Sequence, residues 1–175
     1  MKKIIAVALL AIIVSSIMLL AGCSSSGGVK TGLGHVVSIS KSKDATAEGD
    51  GAAQVDTVMA AVSVDSKGKI VSVTIDTAQT VVPFDATGKL KEDLGAKQET
   101  KVERGADYGM IKASKIGREW YEQIAELEKW MVGKTIDQVK AMKVKKVDDN
   151  HTNVPDEPDL TSKVTITVQD YIAAV

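Results

Sequence analysis

The chain has one cysteine, Cys23, in 175 residues. A lone thiol excludes an internal disulfide, so stability must come from packing. Aromatic residues are scarce at 3%. Phe84 is the sole phenylalanine and both tryptophans, Trp120 and Trp130, fall in one expected helix, which leaves Val, Ile, Ala and Met to fill a core. Neither charge dominates, with 22 basic against 23 acidic residues. There is no basic surface for nucleic acid and no acidic tail. The only histidines, His35 and His151, lie far apart with no spaced partner and make a poor metal set. Gly-x-Ser-x-Gly and His-Glu-x-x-His are absent, and Gly133-Lys134-Thr135 lacks the upstream glycine of a phosphate loop. Asp148, Asp149, Asp156, Glu157 and Asp159 lack the spacing and glycine of a calcium loop, and read as a solvated acidic loop. A turnover enzyme finds little machinery here.

What is present begins at the N-terminus. Met1-Lys2-Lys3 precedes an apolar run from Ile4 to Ala21, interrupted only by Ser15 and Ser16, and small residues follow. This is the layout of an export signal. Leu20-Ala21-Gly22-Cys23 resembles the bacterial lipobox, in which the cysteine thiol takes diacylglycerol and the chain is cut before it. The run is also close to the roughly 18 apolar residues that span a bilayer uncleaved. Ser24-Ser25-Ser26-Gly27-Gly28 next to it suits the flexible tether of a lipoprotein. The expected organisation is a signal peptide over 1–22, a tether over 23–33 and a single domain over 34–175. Cleavage removes Lys2 and Lys3, leaving 153 residues with 20 basic against 23 acidic side chains. Such a length is that of one domain.

Period-two alternation marks the strands. Val36, Val37 and Ile39 form a short one after Gly32-Leu33-Gly34, and Lys41 to Gly51 is a polar connection. Val58, Ala60, Val62 and Val64 alternate with Thr57, Met59, Ala61 and Ser63, and after the turn Asp65-Ser66-Lys67-Gly68-Lys69 Val71, Val73 and Ile75 alternate with Ser72, Thr74 and Asp76. Together they predict an antiparallel hairpin. Pro83 and Asp85-Ala86-Thr87-Gly88 close the section, and Lys89 to Arg104 reads as a polar loop. From Asp107 the spacing turns helical: Met110, Ala113, Ile116, Gly117, Trp120, Ile124, Leu127 and Met131 recur at three and four and predict one long amphipathic helix. Gly133 ends it, and Thr135 with Gln138 predicts a capping box for a short helix bearing Ile136, Val139 and Met142. Two prolines, Pro155 and Pro158, hold the next loop extended. Val164 and Ile166 predict a last strand, turning helical at Thr167 with Val168, Ile172 and Val175 on one side. The expected class is α+β: a small antiparallel sheet of N-terminal strand, hairpin and C-terminal strand, with the long helix packed on one face.

The C-terminal run Asp159-Leu160-Thr161-Ser162-Lys163-Val164-Thr165-Ile166-Thr167, then Tyr171-Ile172-Ala173-Ala174-Val175, resembles the closing segment of the FMN-binding domain family. That family includes flavin-carrying subunits of sodium-pumping NADH:quinone reductase, the related Rnf complex and extracellular electron-transfer lipoproteins. Its motif is an Asp, two residues, then Ser-Gly-Ala-Thr. Asp159, Ser162 and Thr165 match it, as does Thr167 for the hydroxyl residue that usually follows, whereas Lys163 stands where the family has Gly and Val164 where it has Ala. The hairpin from Val58 to Ile75 also looks like the family's opening strands, and Gln79-Thr80 falls near a frequent Glu-Thr. The resemblance implies FMN joined by phosphoester to the Thr165 hydroxyl by a flavin transferase. Asp159 and Ser162 would be the nearby motif residues, and a redox partner would receive the electrons. Lys163, a departure from the family, either supplies a compensating cation for the phosphate or obstructs the transferase. Without the resemblance, residues 164–167 read as an edge strand with its hydroxyls outward. Two readings follow: a lipid-anchored surface lipoprotein carrying flavin for electron transfer, in which the chemistry belongs to the cofactor, or a redox-inactive lipoprotein that binds a ligand or protein on the uncovered sheet face. In both the protein is a carrier or binding module, held to the membrane through lipid on Cys23.

Overall fold

The computed structural model describes residues 27–93 and 95–175. The expected signal peptide, Cys23 and the start of the tether lie outside the described residues. Strands β1 (Lys30–Ser38), β2 (Gly51–Val64) and β3 (Ile70–Phe84) form one antiparallel sheet in that order. The hairpin is as expected: Val58, Ala60 and Val62 lie opposite Thr77, Ile75 and Val73, and all six are buried on the same face. Its turn is locked by the Asp65 carboxylate, which accepts from the Lys67 and Lys69 amides at 2.8 and 2.9 Å. Val71 departs from the alternation. Ser63 faces Ser72 but Val64 faces Ile70, so Val71 is the extra residue of a β-bulge. It rotates out to 45% exposure and Ile70, at 1%, takes the core position. β1 is longer than the alternation implies. Residues 30–33, assigned to the tether, already pair with β2. Pro83 lies within β3, an edge strand where its missing N–H costs no ladder bond.

The long amphipathic helix is not formed. The stretch expected as a polar loop ends in a short helix, α1 (Lys101–Arg104), followed by a first 3-10 turn (Gly105–Tyr108). In place of the long helix come a second 3-10 turn (Met110–Lys112) and α2 (Trp120–Met131), a helix of 12 residues. Gly105, Gly109 and Gly117 adopt φ of 50°, 76° and 62°, outside any right-handed helix. The Glu119 carboxylate replaces the missing helical bonds: buried, it accepts from the Met110 and Ile111 amides at 2.8 and 3.0 Å and caps α2 in a box with Glu122. Trp120, Ile124, Leu127 and Met131 keep the expected core face, while Ala113 is exposed and Ile116 half-buried. Gly133, at φ 84°, follows the end of α2. Thr135 and Gln138 form the expected capping box of α3 (Ile136–Lys140), which buries Val139.

The C-terminal strand is also absent. Residues 159–163 form a turn, with the Lys163 and Val164 amides donating to the Leu160 carbonyl at 2.8 Å. The Thr165 amide donates to a side chain and that of Val168 to the Asn153 carbonyl at 3.0 Å, so no ladder is possible. A short pair, β4 (Val144–Lys145) with β5 (Val154–Pro155), stands in the region expected as loop. Helix α4 (Gln169–Ala174) buries Tyr171 and Ala174 and leaves Ile172 half-buried, a face rotated from the expected one. The architecture is thus α+β, with a small antiparallel sheet whose inner face packs on α2, α3 and the C-terminal segment through Leu160, Val164, Val168 and Tyr171. The outer face leaves Leu33, Val37 and Val55 exposed. Among the described residues no helix is long and apolar enough to cross a membrane.

Candidate functional site

A cavity of about 430 Å³ opens between the inner face of the sheet, α1, the first 3-10 turn and the start of α4. That volume suits a small organic ligand. Three of the chain's six aromatic residues, Tyr108, Trp120 and Tyr171, line it. In a chain so poor in aromatics this concentration singles the cavity out.

Lys101 is brought to the wall by α1. Thr100 and Glu103 cap that turn reciprocally, and the Asp76 carboxylate accepts from the Val102 amide at 3.1 Å, fastening it to β3. The Lys101 ammonium sits 4.9 Å from the Tyr108 ring centre and 5.2 Å from that of Trp120. Ring faces attract a cation, yet they replace only part of the water it loses. Burial, reinforced by Lys41 nearby, lowers its pKa to about 8, against the pull of Asp56 and Asp76. Among the described residues Lys101 forms no salt bridge.

Opposite it, polar groups fall into two kinds. Asp56 is committed, accepting from Lys41 at 2.6 Å and from the Gln54 and Gln79 amides at 2.8 and 3.4 Å. Burial opposes its ionisation, but these donors outweigh it and hold its carboxyl below the usual range. Tyr108 donates to Gln79 Oε1 at 3.1 Å, and burial raises its hydroxyl pKa. Trp120 Nε1 donates to the Tyr171 oxygen at 3.0 Å, the rings meeting edge to face at 5.9 Å. Burial pushes the Tyr171 hydroxyl up to about 12, so it stays protonated, and its own proton is not used in that bond. Thr77 is 3% exposed, and its hydroxyl has no hydrogen-bond partner. It lies near enough to Tyr171 to ease that group's ionisation, but distance and angle do not make a hydrogen bond. Even if the two hydroxyls turned toward each other, one O–H would remain unspent.

Of the residues singled out by the C-terminal motif, Thr167 lines this cavity, whereas Asp159, Ser162, Lys163 and Thr165 lie elsewhere and do not converge. Thr165 borders a second cavity, of about 260 Å³, walled by Met110, Val154, Pro155 and Ile166 with Lys115, Lys145 and His151 at its edge. Its amide and hydroxyl both donate to Gln123 Oε1, at 2.9 and 3.3 Å. Gln123 is fully buried on α2, and its amide nitrogen is spent on Ser114 Oγ and the Arg118 carbonyl. Asp159 and Lys163 border a third cavity, of about 280 Å³. There the Lys163 ammonium pairs with Glu126 at 3.1 Å and holds that carboxyl below its usual range. Ser162 is exposed and Val164 is fully buried. Cys23 lies outside the described residues.

The acidic loop is dispersed by its own partners, Asp148 with His151, Asp149 with Lys146 and Asp156 with Lys145. Among the described residues no three His, Cys, Asp or Glu side chains gather as metal ligands do. Lys101, Thr77 and Tyr108 carry no sequence signal as site residues; Tyr171 stands in the quoted C-terminal run but without a role. Comparison of the chain with protein-family models, with curated proteins and with solved structures finds no match, so the argument for function rests on this geometry.

Proposed function

We propose that the protein is a bacterial surface lipoprotein, held to the membrane through lipid on Cys23, whose α+β domain binds a small molecule in the cavity walled by Thr77, Lys101 and Tyr171. It acts as a binding protein and not as a turnover enzyme. The observation that carries this reading is the Lys101 ammonium, set against the Tyr108 and Trp120 rings in the cavity wall and without a salt bridge among the described residues. A desolvated cation without a salt-bridge partner is costly, a cost a bound ligand reduces. The test is a thermal-shift screen of neutral, anionic and cationic small molecules. Ligands that raise the melting temperature of the wild type should lose their effect when Lys101→Met and Tyr171→Phe are introduced. A screen without any such ligand refutes the reading. Detergent partitioning tests the anchor: Cys23→Ala should leave the protein in the aqueous phase or as uncleaved precursor.

A second reading, flavin carried on Thr165, draws on the apolar cavity beside that residue and the cations Lys115 and Lys145 at its edge. Co-expression with a flavin transferase should then add one FMN phosphoester by intact mass, absent from Thr165→Val, and the denatured protein should stay yellow. An unmodified wild-type mass sets this reading aside.

A further inference from the structure

We infer that the cavity beside Lys101 takes a small organic monocarboxylate, its oxygens received by Lys101, Thr77 and Tyr171 and its apolar body lodged against Met110, Val58 and Ile166. This rests on the reading that the cavity is a ligand site, and goes on to say what enters it. The warrant is the kind of bonding capacity left over. Three acceptors in the cavity are occupied: Gln79 Oε1 takes the Tyr108 hydroxyl, the Tyr171 oxygen takes the Trp120 N–H, and Asp56 holds Lys41. The Asp170 carboxylate on the same wall acts on Tyr171 but is not among the charges that act on Lys101. What remains beside Lys101 is donors. Lys101 is within reach of the Asp56 and Asp76 charges but forms a salt bridge with neither, and at least one O–H of the Thr77 and Tyr171 pair points at no acceptor. A cluster of unspent donors around a desolvated ammonium calls for an oxyanion.

Charge then decides which oxyanion. One unpaired cation balances one negative charge. A phosphate dianion would bury a second charge near Asp56 and Asp170, both on the same cavity wall, with nothing to offset it. The remaining wall is apolar at Val58, Met110 and Ile166, which asks for a body that loses little by leaving water.

Calorimetric titration of the lipid-free domain with benzoate, benzamide and inorganic phosphate tests this. Benzoate should bind at millimolar concentration or below, and benzamide, its neutral counterpart, at least about tenfold more weakly, the loss of one charge-assisted bond. Lys101→Met, which keeps the stem between the rings, should weaken benzoate by about tenfold or more, and Thr77→Val by a smaller factor. Circular dichroism confirms that each variant folds; should Lys101→Met not fold, Tyr171→Phe replaces it, with the same expected direction. Benzamide binding as tightly as benzoate, or phosphate binding in its place, overturns the carboxylate and leaves the ligand site standing. Failure of all three probes, with other compounds shifting the melting temperature, also overturns the carboxylate alone. Failure of every compound overturns both.

Discussion

The cavity under the sheet and the C-terminal motif segment are built from similar residues, hydroxyls and a lysine, and use them in opposite ways. At the motif, Thr165 spends its hydroxyl on Gln123 and Lys163 its charge on Glu126. In the cavity, Thr77 and Lys101 have no such partners. A short motif match reports which side chains are present. It does not report whether the fold has already consumed them, and unspent capacity is the better guide to where a ligand belongs.

The largest effect expected is at the wall shared with the core. Trp120, 1% exposed, should cost about 3–5 kcal/mol when changed to Ala, measured by chemical denaturation. A loss below about 1 kcal/mol would mean that the cavity is not anchored in the core, and the contrast with the motif segment would fail. The next effect is read in pH. Lys101 has a folded pKa of about 8 against 10.5, so between these values the unfolded chain binds more protons and stability rises with pH. Tyr171, at about 12 against 10.0, acts in the opposite sense above pH 10. Melting temperature should therefore climb from about pH 8 and turn down beyond 10, and Lys101→Met should flatten the climb.

Smaller, but more pointed, is the pair of threonines. Thr165→Val removes one of the two hydrogen bonds to Gln123 Oε1, the main-chain amide keeping the other, a loss of about 1 kcal/mol. Thr77→Val removes an unpaired hydroxyl at constant shape and should leave stability unchanged or raised. Equal losses at the two sites would erase the distinction drawn here. Least of all, Lys163→Met should cost under about 1 kcal/mol, since its pair with Glu126 is partly exposed.

The β2–β3 hairpin was legible because one face is buried and the other is not, so burial writes itself as a period of two. The bulge at Val71 was not, since the alternation continues through it in sequence while the register slips in space. The segment from Met110 to Gly117 misleads for a related reason. Its apolar spacing of three also suits 3-10 turns, and only positive φ at Gly109 and Gly117, with Glu119 supplying acceptors, breaks the helix. The site was the least legible part. Thr77, Lys101, Trp120 and Tyr171 come from β3, α1, α2 and α4, and only tertiary packing makes them neighbours. The expected last strand failed because Gln123, unremarkable in sequence, takes the amide that a ladder would have used.

One contact sets the order in which the molecule can assemble. A Cβ on Gly34 would collide with the Ala174 carbonyl, so the last helix lies directly on the first strand. Closing so long a loop is entropically unfavourable until most other contacts exist. During synthesis β1 therefore gains its cover only when residues 169–174 arrive. Until then the cavity lacks α4 and with it Tyr171, so its wall is completed only after the sheet that forms its floor.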